Sequence, residues 1–364
     1  MLKVYRKMLR ASYQTFGFFS RDFLITLALP LLLLFNHVCL ALDNVFFRKY
    51  QSVEIKQPIF IIGHPRSGTT FFHRLMLKTE EFVSFKAWEL TFPSLTARKI
   101  LAPIINNRIA NGKHVLFPPE TGHYTRLDTV EEEEQLFTHL LDTQFNSIIF
   151  SLGFLKGDFD ELCFNDLQKH RKTSMNHFKR CLQRQIYYTG KTQIMARCNF
   201  SAMRIKTLAE AFPDAKFIYL YRNPLATIPS HLSLNYHVFD YKWGLENIGK
   251  EALQGYFNRR YRYNVNLYKY FNQVKNNSDV LKDKIIEVYY DDLLSDFSQV
   301  MARVKAFMGI EFSEALQLEI EKQAEKQKSY KRKHKNYDLE KFGLTEVQIR
   351  KDLDFMFEKI AKLN

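Results

Sequence analysis

The sequence predicts an α/β fold, a parallel sheet flanked by helices, with an N-terminal membrane-associated helical segment ahead of it. Three observations carry that prediction. From Pro58 onward, short apolar runs alternate with stretches of helical period, the pattern of strands covered by crossover helices. The first of these runs ends in Gly63 and opens into a Gly/Ser/Thr loop followed by a helix. Between Phe23 and Leu42 there is no formally charged residue, over about the 20 residues that a helix needs to cross a bilayer.

The chain begins with a basic arm, Lys3, Arg6, Lys7, Arg10 and Arg21, suited to anionic lipid head groups. The apolar segment behind it contains Pro30, Asn36 and His37 and lacks a small-residue cleavage site. Three arrangements suit it: a span, an embedded or interfacial helix, and a buried core helix. A single span would leave the N-terminus cytoplasmic and the main domain in a lumen, in type II fashion. The expectation carried forward is membrane association with the main domain on the cytoplasmic side.

Residues 1–57 form this arm, apolar segment and a linker from Asp43 to Gln57, and residues 58–364 form the main domain. Within that domain Pro58–Ile62 reads as a buried parallel strand, Thr69–Lys78 as the helix after it, and Val83–Trp88 as a second strand. Further strands are expected at Gln193–Ala196, Lys216–Tyr221 and Ile285–Tyr290, and Asp128–Gln185 reads mostly helical.

Hydrophobic residues make up 46% of the chain and charged ones 25%, enough to bury a core and to exclude a disordered polymer. Most of the 33 Phe and 19 Tyr belong in that core, and the surplus suits an apolar ligand site or a bilayer surface. The net charge of +14 points to an anionic ligand or an anionic surface. No zinc-finger, homeodomain or RNA-recognition signature accompanies it, so nucleic acid is not the expected partner. Cys39, Cys163, Cys181 and Cys198 lie far apart and form no Cys-x-x-Cys pair, which reads as free thiols in a reducing compartment. No His, Cys or carboxylate cluster has metal-ligand spacing, so no metal is expected.

The loop Gly63-His64-Pro65-Arg66-Ser67-Gly68-Thr69-Thr70 joins the first strand to the first helix of the main domain. A helix N-terminus offers unpaired N–H groups and a partial positive charge, so an anion is stabilised there. Gly68 lets the backbone approach a ligand, and Ser67, Thr69 and Thr70 supply hydroxyl donors. Gly63, Gly68 and Thr70 match a Walker A loop, but Thr69 stands where that loop carries its lysine. An ATPase would lose its β/γ-phosphate contact; here the cation sits three residues upstream, at Arg66.

Pro65-Arg66-Ser67-Gly68-Thr69-Thr70 resembles the 5′-phosphosulfate loop of sulfotransferases that use 3′-phosphoadenosine 5′-phosphosulfate (PAPS). The resemblance implies that Arg66 contacts the sulfuryl group and the bridging oxygen, while Ser67, Gly68, Thr69 and Thr70 hold the 5′-phosphate. The strand Lys216–Tyr221, then Arg222-Asn223-Pro224, and Ser230 eight residues after the arginine, resemble the 3′-phosphate site of the same superfamily. An arginine fork and a hydroxyl there would separate PAPS from ATP. Ala87-Trp88-Glu89-Leu90, Phe212-Pro213-Asp214-Ala215, Tyr290-Asp291-Asp292-Leu293 and Asp338–Thr345 extend the likeness, to a largely bacterial sulfotransferase family with a P-loop-like sheet. One departure is Arg197-Cys198-Asn199, where related sequences often carry Lys-[Ser/Asn]-Pro.

The resemblance further implies that the basic run Lys328–Lys335, Lys331 and Arg332 above all, closes over the donor; a solvated or lipid-facing charge run is the plainer reading. Glu89 is the candidate general base, by a loose likeness to the base of protein-tyrosine sulfotransferases, with His123 and Glu131–Glu134 as runners-up. A structural salt bridge at Glu89 and an exposed helix start at Glu131–Glu134 are the plainer readings. The segment from about 120 to 192 is the expected acceptor-binding insertion. The implied activity is transfer of a sulfuryl group from PAPS to a hydroxyl of an apolar or lipid-like acceptor, with Arg66 stabilising the leaving group and no metal. The alternatives are a carbohydrate or protein acceptor, an ATP- or GTP-binding P-loop protein, and a non-catalytic membrane scaffold.

Overall fold

Strands of a parallel sheet are covered on both faces, so they form where the sequence holds unbroken apolar runs, and their loops inherit the polar chemistry. The structure is a computed structural model that describes residues 1–155, 171–329 and 338–362. Helix α1 (Leu2–Phe16) turns at Gly17 into α2 (Arg21–Phe46), whose N-cap Ser20 accepts the Phe23 N–H at 3.1 Å. Strand β1 (Ile59–Gly63) leads into α3 (Thr69–Met76), followed by α4 (Ala87–Thr91) and α5 (Leu95–Ala110). A small antiparallel pair, β2 (Val115–Phe117) and β3 (Thr125–Arg126), comes next, then α6 (Asn146–Ile149) and α7 (Arg171–Thr189). Strand β4 (Met195–Arg197), α8 (Ile205–Ala211), β5 (Lys216–Tyr221), α9 (Pro224–Trp243), α10 (Lys250–Asn276) and β6 (Ile285–Tyr289) complete the sheet region. Further helices run from Asp292 to Ala361.

The chain divides into two units. One comprises Met1–Glu54, Phe85–Gly190 and Leu232–Tyr263; the other comprises Ile55–Ser84, Lys191–His231 and Asn264–Asn364. The second unit holds the main sheet, with strand order β4-β1-β5-β6 and every pairing parallel. Ile59 to Ile62 and Phe217 to Leu220 are buried, and Phe60 packs against Phe212 and Phe217 at 5.4 and 5.6 Å between ring centroids. The chain leaves β1 for β4 on one side and returns as β5 on the other, so a topological switch point lies beside β1. Ligands of open α/β sheets bind at the carboxyl ends of strands at such a point.

In the first unit, α1 and α2 pack on residues 141–155 through Met8, Leu29, Leu33, Leu141 and Leu152. Helix α2 buries a stripe of Phe23, Thr26, Leu29, Leu33, Asn36, Leu40 and Asp43, at the spacing of one helix face. Only 33% of its most apolar stretch is buried, which sets aside a core helix, since a core helix is covered all round.

Three expectations are corrected. Asp43 is not linker but the last turns of α2, where burial and an ion pair with Arg184 at 2.7 Å fix it. The expected strand Val83–Trp88 reduces to single bridges, Val83 to Ile194 and Lys86 to Val130, because Lys86 caps α4 and turns the chain into a helix. Glu131–Glu134 is not an exposed helix start: all four are buried. Glu131 pairs with His123 at 3.0 Å, Glu133 accepts the Phe85 N–H at 3.3 Å, and Glu134 accepts from Thr143 at 3.2 Å. Partnered burial explains how carboxylates tolerate it.

Candidate functional site

Strands β1 and β5 run side by side with Gly63 opposite Leu220, so the loops that follow them emerge at the same sheet edge. The first loop is a tight one. Ser67 donates its N–H to the His64 carbonyl at 3.2 Å. Its hydroxyl lies 2.6 Å from that carbonyl and 2.9 Å from the Leu220 carbonyl, so the side chain clamps the loop to β5. Gly68, with φ of +92°, caps α3, and a Cβ there would sit 2.6 Å from the Tyr290 ring. Only glycine combines that backbone conformation with so close an approach.

His64 sits under the loop. It is fully buried, stacked on Tyr268 at 4.6 Å between ring centroids, and its Nδ1 contacts the Pro65 carbonyl at 2.6 Å. Burial pushes its pKa down to about 4, which keeps the imidazole neutral beneath a cationic loop. The sequence marked His64 only as a member of the loop and did not mark Tyr268, because buried aromatics are common in this chain.

Arg66 departs from ordinary backbone geometry, with φ of +74°. Holding a non-glycine residue there costs about 1–3 kcal/mol, and such residues cluster where the side chain has a task. The side chain does have a partner from the second motif: Arg66 Nε donates to Ser230 Oγ at 3.0 Å. Arg222 Nη1 reaches the Arg66 carbonyl at 3.4 Å. The Arg222 guanidinium lies over the Tyr290 ring, 4.4 Å from its centroid, so the tyrosine that limits Gly68 also supports this arginine. Asn223 accepts the Leu225 N–H at 2.9 Å, and Pro224 opens α9, which carries Ser230.

Thr70, one residue into α3, is bonded to Arg197 of β4. The arginine of the departing Arg197-Cys198-Asn199 segment is thus drawn to the same loop without a proline. Arg66, Gly68, Thr70 and Arg222 stay partly accessible, whereas Ser67, Thr69 and Ser230 are buried. The arrangement concentrates Arg66, Arg197 and Arg222, the hydroxyls of Thr70 and Ser230 that two of them meet, and a helix N-terminus, groups of the kind that stabilise a multiply charged anion.

Other predicted residues lie in the other unit or outside the described residues. Glu89 belongs to the other unit. Its carboxylate accepts the Lys86 N–H at 2.8 Å and the Gln185 amide at 3.1 Å, an orientation set by the cap of α4. The run Lys328–Lys335, Lys331 and Arg332 included, lies outside the described residues after Ser329. Among the described residues no group of three or more His, Cys, Asp or Glu is placed to hold a metal ion.

The sulfotransferase family matches residues 58–314, the stretch that contains both loops. Omega-hydroxy-beta-dihydromenaquinone-9 sulfotransferase Stf3 of Mycobacterium bovis is 23% identical over 271 residues, covering 73% of this chain and 66% of the relative. The protein of the same name from Mycobacterium tuberculosis gives the same values. The chain therefore spans less than two thirds of the length of these relatives. Among solved structures, sulfotransferase STF1 of Mycobacterium tuberculosis superposes with a TM-score of 0.67 at 19% identity, over 96% of this chain and 91% of that one. STF9 of Mycobacterium avium gives 0.66 at 16% identity, over 88% and 81%. A family match across most of the chain and two structural neighbours of the same fold lead to one conclusion: the chain belongs to the sulfotransferase family.

Proposed function

We propose that this protein transfers a sulfuryl group from PAPS to a hydroxyl of an apolar, lipid-like acceptor. The observation that carries the proposal is the 3.0 Å bond from Arg66 to Ser230, which brings the two sequence motifs to one place. The loop from His64 to Thr70 receives the 5′-phosphosulfate, with Ser67 shaping the loop and Gly68, Thr69 and Thr70 offering the helix N-terminus. Arg222 and Ser230 receive the 3′-phosphate, and Lys331 and Arg332 are assigned to the same nucleotide. Family membership supports PAPS as the donor. The absence of a lysine at Thr69 favours it over ATP.

In the reaction the acceptor oxygen attacks sulfur in line, a new S–O bond forms, and the bond from sulfur to the bridging phosphate oxygen breaks. The electron pair leaves with adenosine 3′,5′-bisphosphate, and the acceptor proton passes to a base. Arg66 stabilises the charge that grows on the bridging oxygen. Glu89 is the base carried forward, on sequence resemblance alone. Glu89→Gln is expected to lower kcat by about 10²–10⁴-fold while the donor KM and the melting temperature stay near wild type. A purely structural role would instead lower the melting temperature with turnover kept.

Arg222→Ala is expected to raise the donor KM about 10- to 100-fold, the loss of one charge-assisted phosphate contact, while kcat stays near wild type. Initial rates against donor concentration check it. Thermal shifts with adenosine 3′,5′-bisphosphate and with ATP test the donor directly: a stronger shift with ATP refutes PAPS. The relative's name, a hydroxylated menaquinone sulfotransferase, and the exposed apolar face of α2 favour a lipid-like acceptor. Labelled donor with a lipid extract tests it, and a detergent-free panel of carbohydrates and peptides tests the alternative. Membrane association with the catalytic domain on the cytoplasmic side, where such a donor is made available, is part of the same proposal.

A further inference from the structure

Helix α2 is long and apolar enough to cross a bilayer, yet it is fastened to one unit at both ends. Near its start, Asp22 accepts from Ser12 at 2.6 Å, Ser151 at 2.8 Å and the Trp243 indole at 2.9 Å. Near its end, Asp43 accepts from Ser94 at 2.9 Å, from the Thr96 N–H at 2.8 Å and from Arg184 at 2.7 Å. Arg184 also donates to the Leu40 carbonyl and to Tyr50. Asp22 and Asp43 are separated along the helix by about 30 Å, the thickness of a hydrocarbon core. A helix that spanned would have to carry one of these polar clusters to each side of the membrane, although both belong to the same folded unit.

The outer face of α2 tells the opposite story from its buried stripe. Leu24, Leu27, Leu31, Leu34, Val38 and Val45 recur at helical spacing and are all exposed, Leu31 at 70% and Leu34 at 60%. The turn before the helix projects Phe18 and Phe19, the latter 90% exposed. An apolar face this long is more than a soluble surface carries without a partner. Beside it, α1 is bonded to α2 from Tyr5 to the Leu27 carbonyl at 3.3 Å, and α1 carries Lys3, Arg6, Lys7 and Arg10 around one shallow recess with Leu2. Cations next to an exposed apolar face match the two layers of an anionic leaflet, head groups and acyl chains.

We propose that α1 and α2 form a monotopic anchor: α2 lies in one leaflet of an anionic phospholipid membrane with its outer face immersed, and does not cross it. The rest of the first unit and the N-terminus then stay on the same side. This inference stands on the first unit alone and does not depend on the donor chemistry.

Flotation of the full chain with phosphatidylcholine vesicles, with and without 30% phosphatidylglycerol, tests it. Wild type is expected to float with the anionic vesicles about tenfold more than with neutral ones, and to lose that difference in Arg6→Glu/Arg10→Glu or at high salt. Leu31→Glu/Leu34→Glu, both on exposed positions, is expected to abolish flotation while keeping the wild-type melting temperature. Protease added outside sealed vesicles is expected to remove both an N-terminal and a C-terminal tag. Flotation of the double glutamate variant at the wild-type level overturns the proposal, and so does protection of the N-terminal tag with digestion of the C-terminal one, which marks a span. A wild type that does not float but sediments as a dimer, dissociated by the same two glutamates, assigns the face to a second copy and overturns it too. The thermal shift with adenosine 3′,5′-bisphosphate, read on the same samples, reports on the donor site independently.

Discussion

Arg66→Ala is expected to lower kcat about 10³-fold while the protein still binds adenosine 3′,5′-bisphosphate. The magnitude is that of removing one preorganised donor from the place where negative charge develops. The substitution separates side chain from backbone in an informative way. Alanine keeps a Cβ, so the φ of +74° at this position stays as strained as before, and any loss of activity belongs to the guanidinium. Arg66→Gly relaxes the backbone and is expected to melt higher than Arg66→Ala while being equally inactive. Arg66→Lys keeps the charge but cannot reproduce the Nε contact to Ser230 in the same geometry, and is expected to recover only part of the rate. Single-turnover rates with a saturating donor check all three, and wild-type turnover in Arg66→Ala would refute the role.

Gly63→Ala is expected to destabilise the protein by about 3 kcal/mol or more and to lower the melting temperature by about 4 °C or more. A Cβ on Gly63 would lie 2.1 Å from the Leu220 carbonyl oxygen, which is backbone of the neighbouring strand and cannot swing aside. Its φ of +145° adds a second obstacle, since side chains avoid that region. Relief requires β1 and β5 to part where Gly63 faces Leu220, which also frees the Ser67 hydroxyl from the Leu220 carbonyl. The loop after β1 is therefore expected to fail with the sheet. Calorimetry together with the nucleotide-induced thermal shift checks it; Gly68→Ala, which meets the Tyr290 side chain and not backbone, serves as the milder comparison.

The sheet was legible because strands buried on both faces leave continuous apolar runs: the limits of β1, β5 and β6 fall within a residue of those read from the sequence. The short runs were not. Val83–Trp88 carries the same apolar content, but Lys86 and Glu89 at capping spacing turn it into α4. The motif residues were legible singly, since each ends a strand or begins a helix; the bond from Arg66 to Ser230 follows from strand order, which no local pattern contains. Arg197 on Thr70 and Tyr290 under Arg222 were beyond reach for the same reason. Glu131–Glu134 reads as a solvated run because its partners, His123, Phe85 and Thr143, are scattered along the chain.

The grip of Arg222 and Ser230 has a kinetic corollary. On the proposed chemistry these residues hold the end of the nucleotide that the reaction leaves unaltered, while the loop after β1, bonded to them through Arg66, holds the reacting end. The spent nucleotide thus keeps most of the handholds of the fresh one. Turnover in the cell would then follow the ratio of charged to discharged carrier more than the abundance of either, and the enzyme would slow when whatever clears the bisphosphate falls behind.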